Sequence, residues 1–151
     1  MNPLFKISIL LTTLVTSSCS KDTILCRNEM MEQNPVVEGL EYDDFEDRFI
    51  SWDEVFSIDS TDYFVYFFSR ACSHCERLKS FMLLKIKCSE NIYLVEACDE
   101  MVFTDSIDET IGVKLIEDFA IAGYPSLVEI VEGCVAKNIP GVEMIKNELT
   151  N

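Results

Sequence analysis

The sequence predicts an α/β domain in which a mixed central sheet is flanked by helices. Three observations carry this. A strongly apolar run, Tyr63-Phe64-Val65-Tyr66-Phe67-Phe68, feeds straight into Cys72-Ser73-His74-Cys75, and a helical pattern leaves it. Extended and helical patterns then alternate along residues 49–151. Near the end, two extended runs joined at Gly133-Cys134 read as an antiparallel hairpin, followed by a last helix.

The chain has 151 residues, 48% of them hydrophobic, which is enough for one core with extensions. A net charge of −15 makes nucleic acid a poor partner. The charge is unevenly spread. Acids crowd between Glu38 and Asp62, where Arg48 is the only base, and read as a solvated face. Bases crowd between Arg70 and Lys87, where Glu76 is the only acid, so cations gather near Cys72. Seven cysteines are many for a reducing cytosol and point to an oxidising, extracytoplasmic setting.

Residues 1–18 read as an export signal: Lys6, then the short apolar run Ile7–Val15, too short to span a bilayer. Thr16-Ser17-Ser18-Cys19 resembles a bacterial lipoprotein signal, which implies lipidation of Cys19 and anchoring to the cell membrane. An ordinary cleaved signal, giving a secreted protein, and an uncleaved interfacial anchor are the alternatives. Residues 19–48 are polar and acidic and read as a tether, with Cys26 inside it.

Within 49–151, Phe49-Ile50 suggests a short first strand. Ser51 and Glu54 match a capping box opening a helix to about Ile58. Tyr63–Ser69 is apolar on both faces, as in a central strand. The helix after it carries Cys75, Leu78, Phe81, Met82 and Ile86 on one face, which buries Cys75 and leaves Cys72 exposed. Residues 91–97 form the next strand. A helix is expected over 108–120, then strands over 126–132 and 135–139, and a final helix over 142–149. Cys88 and Cys98 flank one strand, whose extended length holds them apart.

This order resembles the thioredoxin fold. The resemblance rests on the strand entering Cys72-Ser73-His74-Cys75, on Gly123-Tyr124-Pro125 immediately before a late strand, and on the terminal hairpin with Gly141 and a last helix. It implies a thioredoxin-like α/β fold, a cis bond before Pro125, and a Tyr124 backbone placed beside the disulfide to meet an extended substrate segment. The chain departs from the thioredoxin reductant in three ways. Ala71 stands for Trp and Ser73-His74 for Gly-Pro in the motif, Tyr66 stands for a buried Asp that accepts the second cysteine's proton, and the extra cysteines and the N-terminal signal do not belong to the cytosolic reductant.

Together these features predict a thiol–disulfide oxidoreductase acting on protein or peptide thiols and disulfides of exported proteins. Cys72 is the nucleophile and Cys75 the resolving thiol. His74, the only histidine, is a stabiliser of the Cys72 thiolate. The redox-active disulfide needs no other cofactor, but a recycling partner is required. Two alternatives remain at this level. One is soft-metal (copper) binding or delivery at the Cys pair, although no second pair completes a structural zinc site. The other is a binding module that keeps the fold without turnover.

Overall fold

The computed structural model describes residues 39–89 and 91–150. The expected export signal, Cys19, Cys26 and the first part of the tether lie outside the described residues.

The frame is a four-stranded mixed sheet. β1 (Asp62–Phe68) lies between β2 (Ile92–Glu96), to which it is parallel, and β3 (Ser126–Val131), to which it is antiparallel; β4 (Cys134–Pro140) pairs antiparallel with β3. Alternation along β1 loads both faces. Tyr66 and Phe68 enter a cluster with Cys75, Leu78 and Met82 of α1 (Ser73–Cys88) and Ile145 of α2 (Val142–Thr150). Tyr63, Val65 and Phe67 enter the opposite cluster with Trp52, Val55, Phe119 and Ile121. Tyr66, Phe67 and Phe68 are fully buried. Each such burial is worth about 1.5–3 kcal/mol, so the strand that leads to the cysteines is firmly held. This is the thioredoxin-like α/β architecture expected from the sequence.

The two α-helices share one face, tied together where Lys85 Nζ donates to the Leu149 carbonyl at 2.7 Å. The other face is covered by single 3-10 turns. Residues 108–120, expected as a helix, instead hold two such turns, Ile107–Thr110 and Ile116–Asp118. Between them Gly112 adopts φ +83°, a left-handed conformation that suits glycine, and its N–H donates to Val135 O at 2.8 Å. The chain thus pairs with the outer edge of β4 rather than with itself.

The Ser51–Glu54 capping box forms, but the helix it opens is only Trp52–Glu54. The Tyr63 hydroxyl donates to the Val55 carbonyl at 2.7 Å, tying the end of this turn to β1. Phe49 makes an isolated parallel bridge to Leu94 instead of a full strand.

The packed domain also begins earlier than residue 49. Tyr42–Arg48, read from sequence as tether, is a 3-10 segment whose Tyr42 is buried and stacks on Phe68 at 4.0 Å between ring centroids. Tyr42, with Leu40 and Phe45 packed against the same cluster, docks the acidic segment on the apolar seat that Phe68 and α1 offer.

Candidate active site

Cys72 caps α1. Its backbone is extended (φ −90°, ψ 118°), and its Sγ accepts from the Cys75 N–H at 3.4 Å. Unpaired N–H groups of the first turn therefore face this sulfur, where they favour a negative charge. Burial alone would raise the Cys72 pKa. It is outweighed by the Cys75 N–H and thiol, the His74 N–H and the charge of Arg77, so the thiol sits below the ordinary cysteine value. Cys75 is 2% exposed, and burial pushes its pKa up to about 12. The pair is asymmetric: an accessible, readily ionised sulfur in front and a buried, protonated one behind.

The Tyr124–Pro125 peptide bond is cis, as the resemblance implies. It brings the Tyr124 carbonyl to 3.7 Å from Cys72 Sγ, across 52 residues of sequence. The Tyr124 hydroxyl donates to Met101 Sδ at 2.8 Å, and Phe103 meets the Tyr124 ring edge-on at 5.4 Å. The loop after β2 thus builds one wall of the site. Nothing in the spacing of Met101 and Phe103 marks them out in sequence.

His74 is exposed on the first turn, and what it contributes to Cys72 here is its backbone N–H. Arg70 does not lend a free charge to the sulfur. It pairs with Asp43 at 2.6 Å and Glu96 at 3.0 Å and lies over the Tyr42 ring. Lys79 pairs with Glu41 in the same way. Two acids of the preceding segment, Glu41 and Asp43, therefore reach bases near and within α1 while staying largely exposed.

Behind Cys75 stand Tyr66 of β1 and Tyr42 of the N-terminal segment. Tyr66 occupies the position that carries the buried Asp in the reductant, and alternation along β1 could have shown that it faces the helix. The burial of Tyr42 carries no such signal.

Among the other cysteines, Cys98 and Cys134 are free thiols and Cys88 is disulfide-bonded. The separation expected between Cys88 and Cys98 is consistent with this. A cleft of about 510 Å³ opens by Phe49, Trp52, Val95, Cys98 and Glu100, beside the site but lined by neither Cys72 nor Cys75. Among the described residues, no group of three or more His, Cys, Asp and Glu is arranged to hold a metal, and no helix is long and apolar enough to cross a membrane.

No protein-family model matches the sequence. No curated protein matches it. Solved structures to which the chain is similar include three thioredoxins. The oxidized form of mitochondrial thioredoxin 3 from Saccharomyces cerevisiae is 14% identical over 60% of this chain and 76% of that one, with a TM-score of 0.41. The oxidised thioredoxin from Plasmodium falciparum is 19% identical over 65% and 86%, with a TM-score of 0.42. The Malassezia sympodialis thioredoxin is 16% identical over 72% and 80%, with a TM-score of 0.39. The likeness is one of layout; the chemistry is carried by this chain's own residues.

Proposed function

We propose that this chain is a thiol–disulfide oxidoreductase that exchanges disulfides with protein or peptide thiols through Cys72 and Cys75. The observation that carries the reading is the asymmetry of the pair, with the Cys72 thiol held below the ordinary range at a helix N-terminus and Cys75 buried and pushed up to about 12.

In the reducing direction, the Cys72 thiolate attacks a substrate disulfide. One substrate sulfur leaves as a thiolate, and the other is joined to Cys72 Sγ. Cys75 then loses its proton and attacks Cys72 Sγ. The Cys72–Cys75 disulfide closes, and the second substrate sulfur leaves and takes up a proton. The substrate disulfide gains two electrons and the cysteine pair loses two. The oxidising direction is the reverse. Tyr124 and Pro125 would hold the substrate segment extended against Cys72, in strand-like pairing with the Tyr124 backbone. His74 would add its imidazole to the stabilisation of the thiolate, which favours the reduced pair and makes it more oxidising. Lipidation of Cys19 would hold the domain at the outer side of a membrane, within reach of exported proteins. A separate redox partner would recycle the pair.

Trapping in whole cells tests the roles. Cys75→Ser is expected to accumulate mixed disulfides with substrate proteins on non-reducing gels, and Cys72→Ser to trap nothing. Equal trapping by both variants would reject the assignment.

A further inference from the structure

Resolution requires a charge where the fold opposes one. Cys75 is buried, yet its sulfur must become a thiolate to attack Cys72. The groups around it are mostly apolar: Leu78 and Met82 of its own helix and Phe68 of β1. Three polar groups interrupt this shell, the Ser69 backbone N–H and two tyrosine hydroxyls. The hydroxyls belong to Tyr66, fully buried, and Tyr42, 4% exposed, which share one buried cluster with Cys75 and influence its ionisation and each other's. Among the described residues neither hydroxyl has a hydrogen-bond partner of ordinary geometry. A buried hydroxyl without a partner is costly, and here two stand together behind the resolving sulfur.

We propose that the Tyr66 hydroxyl is a side-chain hydrogen-bond donor that, beside the Ser69 N–H, stabilises the Cys75 thiolate during resolution, and that Tyr42 positions it. The inference rests on the exchange function proposed for the pair. Burial raises both tyrosines above their ordinary range, so each keeps its proton and acts as a donor rather than as a base. Against burial, the Ser69 N–H lowers the Cys75 pKa most and the Tyr66 hydroxyl adds to it. When Cys75 ionises, its thiol proton ends on the substrate sulfur that Cys72 releases, and the Tyr66 O–H bond stays intact. The arrangement is held in place. Tyr66 stacks on Phe68 with an interplanar angle of 2°, Phe68 stacks on Tyr42, and Arg70 and Lys79 both lie over the Tyr42 ring. Other titratable groups at this corner are Cys72 at the start of α1, Tyr124 on the proline loop, and Arg70 and Glu76, which act on Tyr42.

The test separates the two sulfurs kinetically. The reduced full chain is mixed with oxidised glutathione, quenched in acid and followed by peptide mass spectrometry across a range of pH. The Cys72–glutathione adduct reports the first step, and its conversion to the Cys72–Cys75 disulfide reports the second. Tyr66→Phe is expected to slow conversion about 10-fold more than it slows adduct formation, with the pH midpoint of conversion displaced upward. Tyr42→Phe is expected to show the same pattern more weakly. If Tyr66→Phe fails to fold, the two rates of Tyr42→Phe decide. Equal slowing of both steps, or unchanged conversion, would overturn the inference while leaving the exchange function standing. A wild-type chain that forms the adduct and never converts it would overturn both.

Discussion

At the scale of single residues, the site depends on where two sulfurs sit relative to one helix end. Cys72 faces the first-turn N–H groups and Arg77, whereas Cys75, three residues later, faces the core. The helical repeat alone separates them, and the environment then drives their acidities apart. The sign for Cys72 follows from its lowered pKa. Its reactivity rises with pH as the thiol ionises and levels off below the pH at which an ordinary cysteine, titrating near ~8.5, would do so. Iodoacetamide labelling of Cys72 against pH should show that early plateau. Arg77→Ala should move its midpoint upward by less than about one unit, since an exposed charge acts weakly through solvent. A midpoint moving down would exclude the cation's role.

At the scale of elements, the segment between β2 and β3 shows how tertiary pairing overrides helix pattern. Its apolar residues recur at helical spacing, yet Gly112 and Val113 exchange backbone hydrogen bonds with Val135, covering the open edge of β4. Asn138, buried on β4, fastens the segment by donating from Nδ2 to Thr110 Oγ1 and to the Ala120 carbonyl, both at 3.1 Å. Asn138→Ala removes both bonds and should cost about 1–3 kcal/mol in urea unfolding. Hydrogen exchange at the Gly112 amide should speed up in the same variant. Unchanged protection at Gly112 would mean that the edge pairing stands without Asn138.

At the scale of the whole molecule, the domain is closed by a segment that looks like linker. Tyr42 fills the corner above Phe68 and Cys75, while the ion pairs Asp43–Arg70 and Glu41–Lys79 lie at the surface. Exposed pairs of this kind contribute about 0–1 kcal/mol each, whereas losing a buried aromatic costs about 3–5 kcal/mol. Burial of Tyr42, with Leu40 and Phe45 packed against the same cluster, therefore holds the segment, and the charges mainly orient it. Two shortened chains, beginning at residues 39 and 49, both lack residues 1–38 and differ in this segment alone. The shorter one should be less stable by about 3 kcal/mol in urea unfolding. Equal midpoints would show that Tyr42 adds nothing to the core.

Local chemistry in the sequence was enough to determine the central strand, the helix with its buried face, the hairpin, the Cys72–Cys75 pair and its polarity. Period-2 alternation, period-3.6 alternation and a helix N-terminus are properties of neighbouring residues. Tertiary structure alone decided the rest. It turned residues 108–120 into an edge partner for β4, tied the short Trp52–Glu54 turn to β1 through the Val55 carbonyl, drew Tyr42 out of an acidic stretch into the core, and set Arg70 against Asp43 and Glu96 instead of Cys72. Each of these outcomes depends on a partner distant in sequence. Local pattern sets what a segment can form, and the free energy of burying an aromatic ring or pairing a backbone edge selects which form is kept.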